Sequence, residues 1–339
     1  MPLSHTPSRP PSSLIDSFGR RVDYLRLSVT DRCDFRCVYC MAEDMTFLPR
    51  SDVLSLEEIE RVARIFVGLG VRKLRVTGGE PLIRRGVDQL FKALGHLPDL
   101  RELALTTNGS QLAGRAQALR DFGVDNVNIS LDTLDPDKFT AITRIGKLPS
   151  VLAGIKAAVD TGFSRIRLNA VILRGQNDDE IIQLTDYALS LGINIAFIEE
   201  MPLGQVNAAG KPLAFVSSDE IYDRLANHFA LTPEEPTQQA GPARYWGIRG
   251  TSTRIGLISP HSHNFCSSCN RLRVTAEGRL LLCLGNDHSI SLRDYLRAGD
   301  SDEQLAERIR SALHDKPEQH VFDQPDKPQI LRFMNASGG

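Results

Sequence analysis

The chain has 339 residues, 41% of them hydrophobic, which is enough for a large core arranged as two domains or as one domain with an appendage. Its 40 basic and 42 acidic side chains are balanced and form no basic block, which argues against a nucleic-acid-binding surface. No run approaches the roughly twenty apolar residues that span a bilayer, so no membrane segment is expected.

The opening residues predict a disordered leader. Four prolines and several serines lie within residues 1–13 with few apolar residues, and no apolar signal segment is present. We place this leader at residues 1–16, a core domain at 17–235 and a smaller C-terminal module at 236–339. The second boundary rests on a break rich in Pro, Gln and Glu at 232–242.

Six strand patterns, each followed by a helix pattern, predict a parallel sheet. The strands are expected at 24–30, 72–77, 101–107, 124–131, 164–171 and 193–199. Apolar and polar residues alternate along them, as Leu25 and Leu27 do with Arg26 and Ser28. A parallel strand covered by helices on both faces should be apolar on both. The pattern therefore favours an α/β fold, an incomplete (βα)6 TIM-like barrel with a wet lumen. The alternatives are a doubly wound open sheet and polar faces that meet solvent at sheet edges. The smaller C-terminal module is expected to be an iron-sulfur module because it holds three of the chain's six cysteines.

Six cysteines form two separated triplets, with none left over. They are Cys33, Cys37 and Cys40 near one end and Cys266, Cys269 and Cys283 near the other. Three thiolates cannot reach all four irons of a [4Fe-4S] cluster, so each triplet would leave one iron open to another ligand. Disulfides are one alternative, although they suit secreted proteins. For the second triplet a zinc ion is another, with His261, His263 or His288 as its fourth ligand. Reduced thiols in this number favour the cytoplasm.

The first triplet lies in the sequence Cys-Asp-Phe-Arg-Cys-Val-Tyr-Cys, just after the first strand, and the second strand ends in Thr-Gly-Gly-Glu-Pro-Leu. Together these motifs resemble the radical S-adenosylmethionine superfamily. The resemblance implies that the first triplet holds a [4Fe-4S] cluster and that S-adenosylmethionine contacts Tyr39, Gly79, Ser130 and Met201. In that superfamily an electron from the cluster cleaves the cofactor and releases a 5'-deoxyadenosyl radical. Glycines at the strand end would let the backbone approach this ligand.

The second triplet begins Cys-Ser-Ser-Cys-Asn-Arg-Leu-Arg at residues 266–273. Further motifs are Phe-Leu-Pro-Arg at 47–50, Leu-Thr-Thr-Asn-Gly at 105–109, Ile-Glu-Glu-Met-Pro-Leu-Gly at 198–204 and a terminal Gly-Gly. With these, nearly the whole chain beyond the leader resembles the GTP 3',8-cyclase family, also called molybdenum cofactor biosynthesis protein A. The resemblance implies a second [4Fe-4S] cluster at the second triplet. It also implies hydrogen abstraction from ribose C3' of GTP and attack on guanine C8. The product would be (8S)-3',8-cyclo-7,8-dihydroguanosine 5'-triphosphate, in the first step of molybdenum cofactor (molybdopterin) biosynthesis.

A triphosphate needs cations and hydrogen-bond donors. The side chains expected to contact GTP are Arg26, Arg75, Thr106, Arg167, Arg271 and Arg273. Strand parity turns three of the arginines and Thr106 inward. Of the set, Arg271 and Arg273 are expected to be catalytic together with Gly338 and Gly339, because the family's terminal glycine pair inserts into the active site. A frayed tail is the alternative. Two departures from the family are Arg167, where lysine is common, and Ser337, where an apolar residue often stands.

The resemblance also carries expectations about partners. It implies an electron donor such as flavodoxin or ferredoxin, and it implies that the product passes to cyclic pyranopterin monophosphate synthase. It is compatible with a homodimer. Two rival interpretations stay open at this stage. One is a radical SAM peptide maturase with an auxiliary cluster, although such enzymes usually carry more cysteines in their C-terminal module. The other is a non-catalytic zinc-binding module.

Overall fold

The computed structural model describes residues 13–201, 203, 215–235, 241–286, 288–320, 322 and 333–338. Within these ranges twelve strands form one continuous sheet, and two further strands form a small hairpin. No helix in the described part of the chain is both long enough and apolar enough to cross a membrane.

Six parallel strands at the centre of the sheet lie side by side in chain order. They are β3 (Tyr24–Ser28), β4 (Lys73–Thr77), β5 (Glu102–Thr107), β6 (Asn126–Ser130), β7 (Arg165–Ile172) and β8 (Asn194–Glu199). Each lies within two residues of its predicted bounds. A doubly wound sheet reverses its strand order at a switch point, and this sheet does not. The prediction of an incomplete barrel is therefore confirmed.

Helices connect the central strands and bury their apolar faces against the outside of the sheet. They are α1 (Leu56–Gly68), α2 (Val87–Gly95), α3 (Ala116–Asp121), α4 (Pro136–Thr143), α5 (Leu148–Thr161) and α6 (Ile181–Ser190). Helix α1 begins at a capping box in which Ser55 accepts the N–H of Glu58 and Glu58 accepts the N–H of Ser55. Its Phe66 is fully buried in the core, a burial worth about 1.5–3 kcal/mol.

The C-terminal part of the chain extends this sheet at both edges. Its elements are α7 (Ser218–Ala226), β9 (Leu231–Pro233), β10 (Ala243–Ile248), β11 (Arg254–Ile258), β12 (Arg271–Val274), β13 (Arg279–Leu281), β14 (Ser289–Ser291), α8 (Leu292–Arg297), α9 (Asp302–Leu313) and α10 (Met334–Ser337). Strand β11 pairs in parallel with β8, and β12 pairs in parallel with β3. The sheet thus runs across the proposed division at residue 236, which stays a prediction.

The hairpin of β1 (Leu14–Ile15) and β2 (Arg21–Val22) corrects the end of the predicted leader. Leu14 is buried in the core, and Asp16 forms a 2.5 Å ion pair with Arg20. Residues 14–16 are therefore ordered, because one apolar side chain and one paired carboxylate hold them. Residues 1–12 lie outside the described part of the chain.

Candidate active site

Polar side chains of five of the parallel strands, β3 to β7, line a cavity of about 840 Å³, to which β8 contributes Ile198 and Glu199. In β3 the side chains of Tyr24 and Arg26 line this cavity, whereas Leu25 and Leu27 lie in the hydrophobic core. The same alternation recurs on β4 to β7 because successive side chains of a strand point to opposite faces. The expectation that the polar face lines a lumen is confirmed.

Both cysteine triplets line this one cavity, and all six thiols are free. The first triplet follows the C-terminal end of β3. In the second, Cys269 lies just before β12, and Cys283 lies just after β13, which runs antiparallel to β12. Because β12 and β3 are parallel neighbours, the triplets lie towards opposite ends of this strand pair. The four residues of β12 between them span roughly 13 Å.

A row of guanidinium groups lies between the two triplets. Strand pairing places Arg273 beside Arg26, and Arg26 beside Arg75. Two residues earlier on each strand, Arg271 of β12 pairs with Tyr24 of β3. The hydroxyl of Tyr24 accepts a 2.7 Å hydrogen bond from Nε of Arg75. Burial and the adjacent arginines lower the pKa of Arg26 to about 10, although Tyr24 opposes this. So many adjacent cations would be stabilised by a bound polyanion.

The opposite wall carries the remaining predicted GTP contacts. Thr106, Asn128 and Arg167 occupy one register row across β5, β6 and β7, and all three line the cavity. Arg167 donates hydrogen bonds to the hydroxyl of Tyr245 at 2.6 Å and to Asn169 at 3.0 Å. The six predicted GTP contacts thus face one cavity from two walls.

The four predicted S-adenosylmethionine contacts come from four separate segments and reach the same cavity. Tyr39 lies in the first cysteine loop, Gly79 follows β4, Ser130 ends β6, and Met201 follows β8. The hydroxyl of Tyr39 donates a 2.7 Å hydrogen bond to Asp132. Burial raises the pKa of Asp132 to about 6, against the lowering effect of this bond. The contact ties the first cysteine loop to the end of β6.

Gly79 is required by the protein backbone itself. A Cβ atom at this position would lie 2.3 Å from the carbonyl oxygen of Arg32, the residue before Cys33. The N–H of Gly79 donates to Thr30 at 2.7 Å, and the N–H of Glu80 donates to Arg32 at 2.8 Å. Ligand approach and a tight turn are the two reasons that the sequence suggests for this glycine, whereas the structure adds a third, because the backbone leading into the cysteine loop occupies the adjacent space.

The C-terminal tail packs between the first cysteine loop and the ends of β3 and β4. The N–H of Met334 donates to the carbonyl of Cys40 at 3.2 Å, and Asn335, which is 1% exposed, donates to the carbonyl of Asp31 at 2.9 Å. The carbonyl of Gly338 accepts a 2.6 Å hydrogen bond from Arg273. The frayed-tail alternative is therefore wrong for residues 333–338. Gly339 lies outside the described residues.

The three histidines considered as zinc ligands lie elsewhere. Nε2 of His261 contacts the carbonyl of Glu200 at 2.9 Å, and Nε2 of His263 contacts Asp219 at 2.6 Å. His288 is exposed. None of the three is among the described residues that line the cavity.

Two residues of this region were not predicted from the sequence. Tyr24 lies among the arginines, and strand parity with Arg26 could have identified it. Lys316 lies beside the second triplet, and nothing in the local sequence marks it. Burial opposes ionisation of Cys269, but Arg271 and Lys316 overcome it and lower the pKa of this thiol to about 7.

Comparison with known proteins decides the family. The family model of the Radical SAM superfamily matches residues 27–188, and that of Molybdenum Cofactor Synthesis C matches residues 193–322. A protein of Pseudomonas aeruginosa named GTP 3',8-cyclase 1 is 59% identical, over 96% of this chain and 99% of its own length. The GTP 3',8-cyclase of Pseudomonas entomophila is 56% identical, over 97% and 99%. The chain belongs to the GTP 3',8-cyclase family. Membership over nearly the full length overturns both rival interpretations.

The fold of this GTP 3',8-cyclase family member also occurs in a solved structure. Streptococcus suis SuiB bound to S-adenosylmethionine superposes with a TM-score of 0.59, over 93% of this chain and 77% of that chain. The two sequences are 17% identical, so the likeness shows the fold alone.

Radical SAM enzymes carry S-adenosylmethionine and a [4Fe-4S] cluster, and the first triplet of this family member fits that cluster. Its three thiols all reach the cavity, and burial raises the pKa of Cys40 to about 12, so metal binding would be needed to form the thiolate. No three His, Cys, Asp or Glu side chains in the described ranges converge as ligands of a single ion would. A cluster presents its irons at separate corners, so its ligands stay apart.

Proposed function

We propose that this protein converts GTP into (8S)-3',8-cyclo-7,8-dihydroguanosine 5'-triphosphate, the first step of molybdenum cofactor biosynthesis. One observation carries the proposal, namely that two cysteine triplets and two walls of cationic and polar side chains line a single cavity. Its volume of about 840 Å³ is within the range of small-molecule sites. Relatives named for this reaction cover the chain almost completely.

The first triplet would hold the cluster of the radical SAM reaction, with Tyr39, Gly79, Ser130 and Met201 in contact with S-adenosylmethionine. When bound, this pair supplies the 5'-deoxyadenosyl radical that removes the hydrogen from ribose C3'. The protein holds the cysteine loop in place through the Tyr39–Asp132 hydrogen bond and the backbone pairing beside Gly79. The tail lies beside Cys40 at the wall of the cavity, where it would limit the access of water to a reactive radical.

The second triplet would hold a second [4Fe-4S] cluster whose open iron binds the guanine base. Three observations support this role. The triplet reaches the same cavity as the first one, and it lies towards the opposite end of the β12–β3 pair. The three histidines considered as zinc ligands, His261, His263 and His288, are not among the described residues that line the cavity. A base fixed at one end and a sugar presented at the other would keep C3' and C8 of one flexible molecule oriented.

The triphosphate would lie between the two walls. Arg26, Arg75, Arg271 and Arg273 offer fixed charge-assisted donors on one side, and Arg167 and Thr106 offer donors on the other. Arg273 already donates to the carbonyl of Gly338. We therefore propose that Arg271 and Arg273, besides contacting the triphosphate, act together with the terminal pair Gly338–Gly339 as the catalytic set.

Anaerobic incubation with GTP, S-adenosylmethionine and a reductant, followed by mass analysis of the nucleotide, tests the proposal. The expected result is the cyclised nucleotide together with 5'-deoxyadenosine, from a brown protein with about eight irons per chain. Cys33→Ala should lose S-adenosylmethionine cleavage, whereas Cys269→Ala should keep it, retain about four irons and lose cyclisation. Intact GTP alongside released 5'-deoxyadenosine in the wild type would refute the proposal. About four irons with bound zinc would refute the second cluster alone.

The remaining partners are proposed on the same basis. A low-potential donor such as flavodoxin or ferredoxin would reduce the first cluster, and cyclic pyranopterin monophosphate synthase would take up the product. Six free thiols favour a cytoplasmic setting. A homodimer is compatible with this scheme, and sedimentation of the anaerobic protein would test it.

A further inference from the structure

A buried lysine lies beside the second triplet. Lys316 follows α9 and is 2% exposed. Its Nζ donates to the carbonyl of Leu282 at 2.5 Å, to the carbonyl of Arg271 at 3.1 Å and to Sγ of Cys269 at 3.7 Å. An ammonium group has three N–H donors, so these three contacts use all of them.

Burying an ammonium group is costly unless a negative charge lies close by. No carboxylate of the described residues forms an ion pair with Lys316, in contrast to the nearby Arg20. Arg20 donates to the carbonyl of Cys266 at 2.9 Å, but its charge is paired with Asp16. Among the contacts that Lys316 makes in the described part of the chain, the group able to carry a negative charge is the thiol of Cys269, as a thiolate.

The other two contacts of Lys316 reach the segments on which these ligands lie. Leu282 directly precedes Cys283, and Arg271 follows Cys269 by two residues. One ammonium group thus joins the start of β12 to the end of β13. It thereby bridges the two segments that carry Cys269 and Cys283.

We propose that Lys316 is a positioning residue for the second cluster. It supplies the fixed positive charge that balances the thiolates, and it holds the segments carrying Cys269 and Cys283 at the spacing the cluster needs. A hydrogen bond to a ligating sulfur and a nearby positive charge both favour the reduced cluster. Lys316 therefore also raises the reduction potential of this cluster. The inference rests on the proposed second cluster.

The test compares Lys316→Met, Lys316→Gln and the control Lys92→Met, whose lysine is exposed on α2. Each full-length variant is reconstituted anaerobically and assayed for iron per chain, and its clusters are titrated reductively with detection by electron paramagnetic resonance. The same variants in a background of Cys33→Ala, Cys37→Ala and Cys40→Ala isolate the signal of the second cluster. Methionine fills similar space without charge, and glutamine keeps a neutral donor.

The expected result for Lys316→Met is a more negative midpoint potential for the second cluster, or loss of about four irons while the first cluster still cleaves S-adenosylmethionine. Lys316→Gln should shift the potential in the same direction and retain more iron. If Lys316→Met does not fold, the comparison of Lys316→Gln with Lys92→Met tests the proposal. Iron content and potential equal to those of Lys92→Met would overturn the proposal. A wild type with about four irons and zinc would instead refute the second cluster itself.

Discussion

Because the C-terminal tail packs against β3 and β4, a substitution of Gly338 should disturb the docking of the tail. This residue has φ +76°, and a Cβ atom here would lie 2.9 Å from Cγ2 of Thr77 and 3.1 Å from Cβ of Ser28. Both side chains are buried on adjacent strands and have little room to move. Gly338→Ala should therefore displace the tail and lose the hydrogen bond from Arg273.

The magnitude follows from two costs. A left-handed conformation costs a non-glycine residue about 1–2 kcal/mol, and forcing an extra methyl into a packed site costs about 1–3 kcal/mol. Together, about 2–5 kcal/mol would lower the ratio of docked to undocked tail by at least about thirtyfold. The melting temperature should change little, because few other residues depend on the last turn of the chain.

A matched control exists at Gly162, which has φ +73° and no atom within 4 Å of the position that a Cβ would occupy. Gly162→Ala also places an alanine at a positive φ, but without the clash, at the end of α5. It should lower the melting temperature and leave turnover per folded molecule intact. Turnover to the cyclised nucleotide and amide hydrogen exchange of residues 334–337 are the assays. Wild-type exchange and turnover in Gly338→Ala would refute the reasoning.

Further predictions concern the glycine-rich segment, the tyrosine among the arginines and the second triplet's arginines. Gly79→Ala places a methyl group 2.3 Å from a backbone oxygen, so it should prevent binding of the first cluster and lower the iron content by about four per chain. The control Gly114→Ala, which has open space around the added methyl group, should keep the iron content of the wild type. Burial would raise the pKa of Tyr24, but the surrounding cations lower it from 10.0 to about 6. Tyrosinate absorbance should therefore appear as pH rises through about 6. The free energy of unfolding that Tyr24→Phe loses relative to the wild type should grow between pH 6 and 10, and a loss that does not change with pH would contradict this. Arg271→Ala and Arg273→Ala should each weaken GTP binding roughly ten- to a hundredfold while S-adenosylmethionine cleavage continues, and unchanged affinity would count against the assignment.

The alternation of side chains was sufficient to predict much of the site. Arg26 and Arg75 are inward because the period of a strand is two, and a local pattern reports that directly. Likewise, Cys33 and Cys37 lie close together in sequence and follow a strand end, so their shared position needed no long-range information. Gly79 could be recognised in the sequence as part of a glycine-rich segment, but the contact that requires a glycine there could not. The backbone that excludes a side chain there belongs to another segment.

The sequence by itself determined the positions of the six central strands, the polar lumen and the two thiol triplets, since each depends on local periodicity or on spacing along the chain. Only the tertiary structure decided that both triplets face one cavity, because this depends on β12 pairing with β3, a strand from the opposite end of the chain. The tertiary structure likewise decided the position of Lys316, whose ammonium group lies beside Cys269 and Leu282, two residues from distant segments of the sequence. Such contacts arise when distant segments of the chain join the sheet at its edges, and no local pattern of residues records them.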